Sequence, residues 1–338
     1  MKAHHAGRSL DDAPVAKRCC LPHWWSEFGA SVAGGEVVAD LPGSGAASTL
    51  MFHDGAMILS QLELRRIVRW MPHADDGQVI AGEGAPVNGV NDLGCMFFPA
   101  YDPEGRLVVA DTDTARIIRF GSAGGEVLVE DPALLASIAK LYITSAGTMY
   151  AQAIRGSCIK KIENASVTTT GVVVPLCNLG TSLAPSLWVC DDGSIYVVGS
   201  DRVQRWDPGA LTGVTVAGGS SGDGLHQLHT PYGISITPDN AVYVVDSGNH
   251  RVVKWQPGAV TGVVVAGGHG KGDRAYQLSD PTEIALDSTG ALYILDRCVA
   301  DTVGLATRWG LLLRCRYMYR TRVTRWGPAP ALQLGSAP

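Results

Sequence analysis

Short runs in which β-branched and aromatic residues alternate with polar ones recur along this chain. Turn-forming pairs such as Glu104-Gly105, Asp192-Gly193 and Asp239-Asn240 separate them. A period of two bounded by such pairs predicts antiparallel strands joined by hairpins. No stretch sustains a helical period between caps, so a parallel βαβ architecture is not expected.

The runs belong to a repeat. Tyr243-Val-Val-Asp246-Ser-Gly-Asn-His-Arg251-Val-Val-Lys-Trp255 has relatives in Val108 to Phe120, in Ile58 to Trp70 and, with a shortened turn, in Tyr196 to Trp206. A worn copy runs from Tyr150 through Ala153 to Cys158-Ile162. The sixth begins at Tyr293-Ile-Leu-Asp296 and resumes at Arg322-Val-Thr-Arg-Trp326. The closing positions 70, 120, 162, 206, 255 and 326 are 50, 42, 44, 49 and 71 residues apart. Apart from the last step, this is the period of propeller blades.

A second element follows the aromatic: Val-Thr-Val-Ala217-Gly-Gly219 and Val-Val-Val-Ala266-Gly-Gly268, with Gln78-Val-Ile-Ala81-Gly82 as an earlier copy. It reads as the outer strand of a four-stranded blade. Ser31-Val-Ala33-Gly-Gly35 has the same form but precedes the first full unit, whereas none follows Trp326. The N-terminus is therefore expected to supply the outer strand of the last blade, with Val32 near Thr324, pairing an otherwise open sheet edge.

The unit Pro231-Tyr-Gly-Ile through Trp255 resembles the NHL repeat, and residues 30–327 resemble a six-bladed NHL β-propeller. The expected fold is all-β: six four-stranded antiparallel blades closed by the N-terminal strand. Residues 1–29 form an irregular head and 328–338 a tail. The resemblance implies a noncatalytic platform that binds a protein, as in recognition modules of ubiquitin-ligase-type proteins. It also leaves open a metal-dependent lyase or lactonase with its site at the channel mouth.

Composition narrows this picture. Of 338 residues, 46% are hydrophobic and only 17% charged, which excludes a disordered chain; the net charge of −5 argues against a globally basic nucleic-acid binder. No run is long and apolar enough to span a membrane, and no secretory leader is read, so a cytoplasmic protein with reduced thiols is expected. The eight cysteines contain no CxxC pair. A metal-binding head from His4, His5, Cys19, Cys20 and His23 fits no zinc spacing, and no cofactor or metal is expected.

In the sixth copy, Asp296 and Arg322 are 26 apart instead of five, so 21 residues within 297–321 look inserted into the turn between the second and third strands. Residues 297–325 hold seven Arg and one Asp, with Arg314 and Arg316 beside large apolar groups. Three readings stand: translated non-coding sequence, a surface loop, or a basic element contacting RNA or an acidic partner. Tryptic peptides from 299–320 in the natural protein would remove the first.

Asp111/Arg116, Asp246/Arg251 and Asp296/Arg322 recur once per blade and are read as turn-pinning ion pairs, partly exposed. By alignment, Arg66 and Arg202 retain the basic member alone. Candidate binding residues on the loop face are His226, His229, Tyr232, Asn249, His250, Arg314 and Arg316. Glu283, which stands where the preceding unit has Gly233, is placed near the channel. The three histidines would be metal ligands only if they converge.

Overall fold

The computed structural model describes residues 36–41, 47–72, 74, 77–82, 92–121, 124–131, 135, 138–153, 158–162, 172–175, 186–299 and 319–327. They form six antiparallel sheets of four strands. Blade 1 holds β2 (Ala47–His53), β3 (Ala56–Gln61), β4 (Arg66–Trp70) and β5 (Gln78–Gly82). Blade 2 holds β6 (Phe97–Tyr101), β7 (Leu107–Asp111), β8 (Arg116–Gly121) and β9 (Gly124–Glu130). Blade 3 holds β10 (Ile138–Ile143), β11 (Met149–Ala153), β12 (Cys158–Ile162) and β13 (Val172–Pro175). Blade 4 holds β14 (Leu187–Val189), β15 (Ile195–Val198), β16 (Arg202–Trp206) and β17 (Val214–Gly218). Blade 5 holds β18 (Pro231–Ile236), β19 (Val242–Asp246), β20 (Arg251–Trp255) and β21 (Val263–Gly267). The last sheet is β22 (Pro281–Leu286), β23 (Leu292–Val299), β24 (Tyr319–Trp326) and, outermost, β1 (Glu36–Leu41).

The first strands of the blades, β2, β6, β10, β14, β18 and β22, touch in a closed ring, including β22 against β2. The core lies between blades rather than inside any one of them. Each of the six interfaces has its own buried cluster. Trp206, Trp255 and Trp326 are buried at the 3/4, 4/5 and 5/6 interfaces, and Trp70 packs at the 6/1 interface. A buried aromatic contributes 150–250 Å² of apolar contact, which is why an aromatic stands at this position in five of the six units.

Strand β1 runs antiparallel to β24, with Val37 opposite Thr324 and Asp40 opposite Arg322. The Ser31–Gly35 motif, Val32 included, lies outside the described residues. Among the described residues, the segment beside β24 starts at Glu36. Beyond Asp296↔Arg322, the β23–β24 ladder continues through Arg297↔Thr321, Cys298↔Arg320 and Val299↔Tyr319. At about 3.3 Å per residue, the ribbon extends the hairpin by roughly 10 Å. Residues 300–318, with Arg314 and Arg316, lie outside the described residues, as does the 1–29 head.

Gly82, Gly218 and Gly267 end the fourth strands of blades 1, 4 and 5 with φ between +67° and +69°. A Cβ there would collide with the carbonyls of Arg65, Asp201 and His250, each just ahead of its blade's third strand. The Ala-Gly ending is therefore a steric requirement of the turn back toward the next blade.

Candidate functional site at the loop face and channel mouth

Two kinds of loop share one face: the connector from each fourth strand to the next blade, and the turn between second and third strands. Their contact is built by the repeated charges. Asp246 is fully buried and Arg251 nearly so. The Arg251 Nε donates to Asp246 Oδ2 at 2.7 Å and its Nη2 to the Gly224 carbonyl at 3.0 Å. Asp246 Oδ1 accepts the His229 amide at 2.7 Å. Asn249 Nδ2 bridges Asp246 Oδ2 and the Gly222 carbonyl.

Blade 6 repeats the device. Asp296 accepts the amides of Ser279 and Asp280 and the guanidinium of Arg322. Arg322 also reaches the carbonyls of Asp273, Gly272 and Gln277. These pairs are buried, which corrects the expectation of partly exposed turn pins. A connector held this way leaves its backbone groups satisfied in place of water. The energetic consequence changes with it: an exposed pair contributes about 0–1 kcal/mol, whereas breaking a buried one costs about 3–5 kcal/mol.

Arg66 and Arg202 are not alone either. The Arg66 Nε donates to Gln61 Oε1 at 2.7 Å, so a neutral amide stands in the carboxylate position. Arg202 takes Asp201, its neighbour in sequence, at 2.8 Å, and the Gly219 carbonyl at 3.0 Å. Alignment missed both because the acceptor had changed identity or place. Blade 2 is looser: Asp111 holds the Gly94 amide, but Arg116 Nη2 is 4.0 Å from it.

The candidate histidines do not form a metal centre. His226 and His229 are exposed, with His229 Nδ1 3.5 Å from Ser221 Oγ. His250 is in the left-handed region at φ +52°, and its Nδ1 is buried without a hydrogen-bond partner. Among the described residues, no three His, Cys, Asp or Glu side chains gather to hold a metal ion. Asn249 is structural, and Tyr232 is half-buried on β18. What the connectors expose instead is Leu225, 45% accessible, and Tyr276, 41% accessible. Tyr276 is fixed by Arg274 Nη1 on its hydroxyl at 2.7 Å and by an edge-on contact with His269.

Glu283 does lie at the channel, and the sequence did not disclose its partner. Lys140 Nζ meets Glu283 Oε2 at 2.5 Å. Lys140 is on β10 and Glu283 on β22, three places apart in a ring of six. Both follow an irregularity in the ladder, between Ile138 and Lys140 and between Pro281 and Glu283. A bulge re-aims the next side chain. Gly233, on the neighbouring inner strand, would collide with Glu283 through any Cβ. Burial among these strands leaves the Gln152 amide and the Ser186 hydroxyl without hydrogen-bond partners among the described residues.

At the far ends of the inner strands, His53 stacks on Tyr101 at 3.6 Å. Burial pushes the Tyr101 phenol above its usual 10, with Arg69 opposing and Asp54 reinforcing; burial also raises Tyr293. A raised folded pKa contributes stability that is complete below about pH 10. It is lost as pH rises through the folded value. Denaturant midpoints measured from pH 9 to 11.5 should therefore fall, and less so in the Tyr101→Phe/Tyr293→Phe variant.

Comparison with known proteins places these observations. The NHL repeat model matches residues 228–255, the unit that carries the Asp246/Arg251 network. The chain is a six-bladed β-propeller that carries an NHL repeat at residues 228–255.

No curated protein matches it. Among solved structures, this NHL-repeat propeller is similar to an auxiliary nutrient binding protein from Bacteroides ovatus, at 15% identity and TM-score 0.59, over 85% of this chain and 70% of that one. It is also similar to the PQQ-bound aldose sugar dehydrogenase from Streptomyces coelicolor, at 13% identity and TM-score 0.58, over 88% and 98%. A catalytically inactive virginiamycin B lyase from Staphylococcus aureus, with quinupristin, aligns at 10% identity and TM-score 0.50, over 86% and 99%. At these identities the likeness shows the fold alone.

Proposed function

We propose that this NHL-repeat propeller is a noncatalytic recognition platform that binds a protein partner through its loop face. The observation carrying this reading is the commitment of the repeated charges to the protein itself. Asp246, Arg251, Asp296 and Arg322 hold the connectors through hydrogen bonds and ion pairs within the chain. They present Leu225 and Tyr276 on ordered backbone, so little entropy is lost when a partner docks. Aromatic and aliphatic anchors of this kind dominate protein interfaces. The similar folds include a lyase and a dehydrogenase, but the described residues assemble no metal-ligand set of the kind a propeller lyase would use.

A photo-crosslinking amino acid at position 276, introduced in the native host, tests this. A discrete protein adduct is expected, lost with Leu225→Arg and retained with Leu211→Arg, an exposed residue of the β16–β17 turn. An adduct abolished by ribonuclease, or no adduct at all, would contradict the reading.

A further inference from the structure

We propose that Lys140 and Glu283 form a latch across the central channel, closing it at the level of the loop face and able to open when Lys140 moves onto Gln152. The two residues stand on inner strands of different sheets, three places apart in the ring, yet their charged ends meet at 2.5 Å. Their height is set by the ladder. Glu283 pairs with Leu295, one step from Asp296, whose carboxylate holds the connector before blade 6. The latch therefore sits directly beneath the recognition surface.

The strands between them have made room. Blade 4 offers Ser186, whose carbonyl accepts the Val198 amide at this level, and blade 5 offers Gly233. On this side of the ring the residues at that level are small, whereas on the other side Phe98 of blade 2 packs against the cluster between blades 2 and 3. The side chains of the pair are 18% and 9% exposed, so each charge depends on the other for much of its solvation.

Gln152 supplies the second position. It is directly opposite Lys140 in the β10–β11 ladder, hence on the same face, and is fully buried with neither amide atom hydrogen-bonded. An ammonium leaving Glu283 finds the Gln152 Oε1 acceptor within its own blade. The closed state satisfies both charges; the open state gives the buried Gln152 Oε1 a donor and frees the Glu283 carboxylate toward the channel.

Competitive acylation of lysines by a small amine-reactive ester, read by mass spectrometry on the full chain, tests this. In the wild type Lys140 should react more slowly than exposed Lys271. Glu283→Gln should raise Lys140 reactivity on the order of tenfold with Lys254 unchanged. Gln152→Met, which removes the open position, should lower it. The charge-reversed pair Lys140→Glu/Glu283→Lys should recover most of the thermal stability lost in Lys140→Glu alone, which separates a broken latch from a collapsed fold. Wild-type Lys140 reacting as fast as Lys271 would overturn the latch. So would the same rate in Glu283→Gln, no slowing in Gln152→Met, or no recovery in the reversed pair.

Discussion

Asp296→Ala should lower the unfolding free energy by about 3–5 kcal/mol, read as a large shift of the denaturant midpoint. The substitution leaves the Arg322 guanidinium buried without its counter-charge. It also strips the Ser279 and Asp280 amides of their acceptor. An apolar residue at both positions should not restore stability, because the carbonyls of Gly272, Asp273 and Gln277 lose their donor as well. The same change should grade along the ring. Asp111→Ala should cost less, since Arg116 stands 4.0 Å away. Gln61→Ala should cost about 1.5–3 kcal/mol, because a hydrogen bond to the Arg66 guanidinium is lost but no counter-charge is removed. Equal effects at all three positions would mean that the networks do not hold the connectors.

Removing residues 1–41 should be the second large effect, on the order of 3 kcal/mol. Each ladder hydrogen bond lost with β1 contributes about 0.5–1.5 kcal/mol, and Val38 leaves the cluster between blades 6 and 1. The shortened protein should also associate with rising concentration in sedimentation runs, because β24 then presents an unpaired edge. A truncated chain that stays monomeric with an unchanged midpoint would show that β1 does not act as the outer strand of the last blade.

The fold was legible where the repeat was chemically intact. Tyr243 to Trp255 announced strand, turn, strand and closing aromatic in thirteen residues, and the worn copy at Tyr150–Ile162 could be placed by spacing alone. Burial of the charges was not legible. Asp246 and Arg251 look like an exposed hairpin pair until the connector of the preceding blade folds over them, a contact 27 residues away for Gly224. Compensation was hidden as well: Gln61 keeps the position of the repeated aspartate without its charge, and Asp201 keeps the charge from a different position. The channel pair was half legible. Glu283 stood out against Gly233, but nothing local marks Lys140, because a contact across a ring joins residues 143 apart. Leu225 and Tyr276 lay within glycine-rich connectors, and only their exposure in the folded structure separates them from Leu228 and Leu278, which are buried in the same loops.

Hydrogen exchange of the connector amides tests most directly the claim that the repeated charges organise the recognition surface. Amides of residues 219–230 and 268–280 should exchange slowly in the wild type. Asp246→Ala should release the first connector and Asp296→Ala the second, each leaving the other protected. Connectors that exchange at unstructured rates in the wild type, or that ignore both substitutions, would contradict the account.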